Sequence, residues 1–155
     1  MCGIAGFVNS NRLPADKLIL QLMTDSIKHR GPDGEGLYIE GSIGIGHRRL
    51  SIIDLSSNGA QPMISENKDV VLSYNGEIYN FKDIRSELTS LGHSFFSQTD
   101  SEVVLRSWIE WGAECVRKFN GMFAFAVLDK RANKIFLVRD RYGIKPLYYA
   151  QWDGA

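Results

Sequence analysis

Apolar residues recur along this chain with two periods. Residues 2–8, CGIAGFV, form a short apolar run that predicts a strand. Over Pro14–Lys28 the spacing changes to that of a helix, with Leu18, Ile19, Leu22, Met23 and Ile27 on one face. RGPDGEG at 30–36 is turn-rich and predicts a loop. LYIE at 37–40 and IGIGHRRLSII at 43–53 predict strands, and SSNGAQP at 56–62 a further loop. DVVLSY at 69–74 predicts a strand that ends in a tight turn at Asn75-Gly76.

The second half continues with two helices. FKDIRSELTSLG, 81–92, places Phe81, Ile84, Leu88 and Leu91 in one stripe, with Gly92 as the stop. Thr99 and Glu102 have capping-box spacing and open a helix carrying Val103, Val104, Trp108 and Trp111. MFAFAVLD and KIFLVRD then flank KRAN as a hairpin. Strands are grouped instead of alternating strictly with helices. This order predicts an α+β fold of antiparallel sheets with helices on their outer faces.

Length and composition narrow the function classes. The 155 residues suit one domain, with no repeat or linker dividing them. Eighteen Lys and Arg balance eighteen Asp and Glu, so net charge steers the chain toward neither nucleic acid nor an anionic membrane. The longest apolar run, residues 122–128, is far too short to span a bilayer, and no signal peptide opens the chain. Two cysteines make no disulfide scaffold, and no CxxC offers a zinc site; a reduced, cytoplasmic setting is expected. His29, His47 and His93 lie far apart without ligand spacing, so no metal is expected.

The chemistry concentrates at the N-terminus. Once Met1 is removed, Cys2 carries a thiol and an α-amine in one residue. Ordinary values are about 8.5 for the thiol and about 7.7–8.0 for the amine. Near neutrality the amine is partly unprotonated and can take the thiol proton without a histidine. The plainer alternative is a buried strand cysteine. A thiol attacking a carbonyl needs an oxyanion hole, and the Asn75 carboxamide and Gly76 N–H can supply one. The same pair is also the favoured centre of a type I′ hairpin turn. In HRRLSI, Arg48 and Arg49 point to opposite faces of a strand. One can turn inward to clamp a carboxylate with two hydrogen bonds; the sequence does not say which. Glu77 and Asp100 together can hold an ammonium group, and Asp100 can instead support a helix N-terminus.

CGIAGF, HRGPDGEG, GHRRLSIID, GAQPM, NGEIYNF, TDSEV, FNGMFAFAVLD and RDRYGIKPLYY occur here in one order. Together they resemble the glutaminase half of glutamine-dependent asparagine synthetases, a class II glutamine amidotransferase of the N-terminal nucleophile hydrolase group. The resemblance runs from Cys2 to about Ala150. It implies a four-layer αββα sandwich, with residues 1–155 as one amidotransferase domain, truncated at its C-terminus. Cys2 would be the nucleophile that forms a glutamyl thioester, and Asn75 and Gly76 the oxyanion hole. Arg49 would bind the glutamine α-carboxylate, and Glu77 and Asp100 would lie near its α-amine. Leu50 and Ile52 complete the implied substrate-binding set, together with Asn75 and Gly76.

The implied partners are L-glutamine and a C-terminal synthetase domain, absent here, that uses ATP and magnesium to activate aspartate. No cofactor is expected in this domain, and neither nucleic acid nor membrane is an expected partner; a homodimer stays open. Two alternatives stand beside this expectation. The domain could serve another acceptor, or it could bind glutamine without turnover if Met1 is retained.

Overall fold

The computed structural model describes residues 1–52 and 54–152. Three strands, β1 (Gly3–Val8), β2 (Gly34–Glu40) and β3 (Ile43–Arg49), form an antiparallel sheet in the order β1-β3-β2. Helix α1 (Lys17–Ser26) covers its outer face. Strands β4 (Met63–Ile64), β5 (Val70–Ile78), β6 (Gly121–Asp129) and β7 (Lys134–Arg139) form a second antiparallel sheet in chain order. Helices α2 (Phe81–Ser90) and α3 (Asp100–Trp111) pack on the far side of that sheet. The layers therefore run helix, sheet, sheet, helices: an α+β αββα sandwich.

The long apolar runs of β5 and β6 follow from burial on both faces. Val70, Leu72 and Tyr74 meet Phe123, Phe125, Val104 and Trp108 in the large core beneath the helices. Their alternates face the first sheet. Val71 joins Ile45 and Leu128 in a small core, and Ser73 Oγ meets His47 Nδ1 at 3.0 Å. The space between the sheets is thus partly polar, and a site can open at its edge.

Helix α1 lies very close to the first sheet. A Cβ on Gly46 would stand 2.3 Å from Thr24 Oγ1, and one on Gly44 3.3 Å from Leu20. This contact selects the buried stripe, which is Leu20 and Thr24. Leu18, Ile19 and Leu22, expected on the buried face, are exposed, Leu18 to 73%. The helix also starts later than Pro14, because Asp16 caps it by accepting the Leu18 N–H at 2.7 Å.

Other boundaries move for equally local reasons. Strand β2 begins at Gly34, inside the expected loop, because Gly34, Glu35 and Gly36 pair with Arg49, Arg48 and His47. Strand β3 stops at Arg49 rather than continuing toward 53, since the Leu50 and Ser51 N–H groups turn to Cys2 Sγ and Asp33. Residue 53, the end of that expectation, lies outside the described residues. No turn occurs at Asn75-Gly76; β5 runs through both and pairs with β6 as far as Ile78 and Gly121. Leu91 falls beyond α2 and is exposed, and Gly92 leaves the helix with φ +97°. Only half of the capping box forms: Thr99 Oγ1 accepts the Glu102 N–H, while the Glu102 carboxylate takes the N–H groups of Phe96 and Ser97.

Candidate active site

A cavity of about 190 Å³ opens where β1, β3, β5 and the start of α3 converge. Every site residue expected from the sequence lines it: Cys2, Arg49, Leu50, Ile52, Asn75, Gly76, Glu77 and Asp100. Ile52 is at the rim, 76% exposed. The lining also includes Met1, Gln61, Tyr74, Met122 and Lys145, to which sequence reasoning gave no role.

Cys2 stands just before β1, whose first residue, Gly3, pairs with Arg48. Its Sγ accepts the Leu50 N–H at 3.4 Å, and its carbonyl accepts Arg30 Nε at 3.2 Å. The sulfur is half-buried at the cavity wall, whereas Cys115 is sealed in the core. Burial pushes the Cys115 thiol up to about 12.

The edge of β5 brings Asn75 and Gly76 to this cavity. Tyr79 donates to Asn120 at 2.7 Å, which sets the phase of pairing with β6. In an antiparallel ladder, alternate residues turn their N–H and C=O outward. Tyr74, Gly76 and Ile78 are then the outward ones. Gln61 takes both backbone groups of Tyr74, accepting its N–H at 2.6 Å and donating to its carbonyl at 3.2 Å. Asp100 accepts the Ile78 N–H at 3.0 Å. The Gly76 N–H lies between these two capped positions, on the side lined by the cavity. Glycine is required there by close packing: a Cβ would stand 2.5 Å from the Met122 carbonyl oxygen. Asn75, on the alternate face, points between the sheets toward the side on which Cys2 lies.

The two arginines divide by strand alternation. Arg48 faces α1, where it donates to the Thr24 carbonyl and pairs with Asp25 and, at 2.6 Å, with Glu35. Arg49 lines the cavity. Its guanidinium is steadied by the carbonyls of Ser56, at 2.8 Å, and Asp54. Gly59 makes room for it, since a Cβ there would stand 2.3 Å from Arg49 Nη2.

Asp100, also in the cavity lining, is buried and accepts the Tyr74 hydroxyl at 2.7 Å. Burial pushes the Asp100 carboxyl above its ordinary range, and these hydrogen bonds oppose the shift. The Tyr74 phenol is driven well above its usual value by burial and by the adjacent carboxylate. Glu77 is exposed at the rim. Asp100 and Glu77 thus bring carboxylates to the cavity that Arg49 lines, a combination of charges that can bind a zwitterionic amino acid. Of the residues without an assigned role, Gln61 and Lys145 lay within quoted motifs, GAQPM and RDRYGIKPLYY. Neither had a spacing rule that would identify an edge cap or a buried ammonium. Among the described residues, no group of three or more His, Cys, Asp and Glu is placed to hold a metal ion. Among the described residues, no helix is long and apolar enough to cross a membrane.

The family model described as "Glutamine amidotransferase domain" matches residues 1–155. Glutamine-hydrolyzing asparagine synthetase 3 of Bacillus subtilis is 43% identical over 154 residues, covering 97% of this chain and 25% of that protein. Glutamine-hydrolyzing asparagine synthetase 2 of the same organism is 44% identical over 154 residues, covering 97% and 20%. The chain therefore spans a quarter or less of these two relatives. Among solved structures, glutamine phosphoribosylpyrophosphate amidotransferase from B. subtilis superposes with a TM-score of 0.70. It is 19% identical, and the match covers 94% of this chain and 38% of that one, a likeness of fold.

Proposed function

The chain belongs to the glutamine amidotransferase domain family, and we propose that it hydrolyses L-glutamine to L-glutamate and ammonia through a thioester on Cys2. The observation that carries this reading is the convergence on one cavity of the Cys2 sulfur, the outward N–H of Gly76 and the Arg49 guanidinium. Removal of Met1 frees the Cys2 α-amine. That amine accepts the thiol proton, and Sγ attacks the side-chain carboxamide carbon of glutamine. The oxyanion forms against the Asn75 carboxamide and the Gly76 N–H. Its collapse breaks the C–N bond, and the protonated α-amine gives its proton to the departing ammonia. Water, deprotonated by the same amine, then hydrolyses the thioester.

Arg49 binds the substrate α-carboxylate, and Asp100 and Glu77 bind its α-ammonium. Leu50 and Ile52 flank the bound chain. Fixing both charged ends orients the amide against sulfur, and such positioning removes much of the barrier. An oxyanion donor contributes about 3–4 kcal/mol in the transition state. The ammonia is passed to a synthetase domain that amidates aspartate with ATP and magnesium. The names and greater length of the relatives support this step.

The test is to incubate the chain lacking Met1 with glutamine and measure glutamate and ammonia. Equal release of both is expected, and Cys2→Ala abolishes it while leaving the melting temperature unchanged. Undiminished hydrolysis by a pure Cys2→Ala chain would defeat the assignment.

A further inference from the structure

Lys145 is only 5% exposed, in the wall of the Cys2 cavity. Among the described residues it forms no ion pair, and its Nζ donates to the Met1 thioether at 2.9 Å. A thioether is a weak acceptor and offsets little of the cost of burying an ammonium. The Lys145 backbone is nevertheless firmly held. Its N–H donates to Asp140 at 3.0 Å, and its carbonyl accepts Arg139 Nε at 2.8 Å. Pro146, Leu147 and Tyr148 continue past Cys2, lining a second cavity of about 250 Å³ with it. Segment 145–148 therefore borders Cys2 in both cavities. Met1 Sδ is five bonds from the Cys2 nitrogen, so Lys145 Nζ lies within about 9 Å of that nitrogen.

We propose that Lys145 is a positioning residue for proton transfer, its buried charge lowering the proton affinity of the Cys2 α-amine once Met1 is gone. This rests on the reading of Cys2 as an N-terminal nucleophile. A like charge close by disfavours a second cation, and low local polarity strengthens the effect. The other charged groups around the amine keep their own partners and are unchanged among the Lys145 variants compared below. Arg30 donates to the Cys2 carbonyl, and Arg49 is held by the carbonyls of Asp54 and Ser56. Asp100 is bound to Tyr74 and the Ile78 N–H, and the Asp54 carboxylate takes the N–H groups of Ser56 and Gln98. Glu77 is exposed to solvent, and the Tyr74 phenol is neutral. An ordinary α-amine is only about a tenth neutral at pH 7, and lowering its affinity by one unit makes it about half neutral.

The test titrates the Cys2 α-amine by nitrogen NMR in chains carrying isotope-labelled cysteine and lacking Met1. The pH profile of kcat/KM for glutamine is measured on the same chains: wild type, Lys145→Met and Lys145→Arg. The amine should titrate about one pH unit higher in Lys145→Met than in wild type, and Lys145→Arg should keep the wild-type value. The acidic limb of the rate profile should move by the same amount while the alkaline plateau persists. Lys145→Gln replaces Lys145→Met if that chain does not fold. Identical amine titration in wild type and the neutral variant overturns the proposal. So does an equal loss of rate at every pH in both Lys145→Met and Lys145→Arg. A lowered wild-type titration in a chain that hydrolyses no glutamine upholds the role of Lys145 and counts against the function above.

Discussion

In the proposed mechanism Arg49 serves binding and Asn75 serves turnover. Arg49 reaches the site because it ends β3 with its side chain on the cavity face, whereas Arg48 is spent on α1. A charge-assisted bond to a substrate carboxylate acts in the ground state and the transition state alike, so its loss appears in KM. Arg49→Ala should raise KM for glutamine at least tenfold with kcat changed far less. Asn75→Ala should lower kcat by about 100–1,000-fold with little change in KM. Steady-state kinetics on both variants check this pair, and the reverse pattern would exchange their roles. Strand alternation alone left Arg48 and Arg49 open and the family resemblance picked Arg49; the register of β3 against β1 and β2 adds the physical reason, since it turns Arg48 toward α1.

The strands show most clearly what a sequence pattern can and cannot specify. Asn75-Gly76 has the composition of a hairpin turn, yet it continues β5 because β6 offers a pairing partner along its whole length. Glycine there serves a close backbone approach, which composition alone cannot distinguish from a turn. The β6–β7 hairpin, by contrast, was readable, and its turn is locked by Asp129. That carboxylate accepts Trp108 Nε1 at 3.0 Å and Arg131 Nη2 at 2.8 Å. The Arg131 hydrogen bond chiefly holds Asp129 down at about 2. A depressed carboxylate stabilises the fold above its unfolded value, near 4, and loses that contribution as pH falls through about 2. Asp129→Asn should therefore destabilise the protein at pH 7 by about 1 kcal/mol, a value discounted because Arg131 is 41% exposed. Urea denaturation at pH 7 and pH 2 should show the difference at the first and its disappearance at the second.

At the scale of the molecule, the two sheets face each other across a thin, partly polar layer. His47 sits there fully buried, and burial, with Arg49 nearby, lowers it to about 3. The unfolded chain binds a proton on this histidine below about 6.5, and the folded one does not until about 3. Stability should consequently fall between those values by about 1.4 kcal/mol per pH unit from this group alone. His47→Asn should flatten that part of the profile, measured as the wild-type-minus-variant difference in urea unfolding. A parallel fall in both proteins would remove His47 as the cause. The αββα order was foreseeable from grouped strands and family motifs. The apolar stripe of α1 was not, because Gly44 and Gly46 set which side of the helix is buried.

The most direct measurement of the central claim is covalent labelling with an electrophilic glutamine analogue, followed by intact mass and peptide mapping. Chains lacking Met1 should gain one adduct, on Cys2, and glutamine should protect against it. Cys115, buried with its thiol at about 12, should stay unmodified in the folded protein. An adduct on any other residue, or equal labelling of chains that keep Met1, would contradict the account.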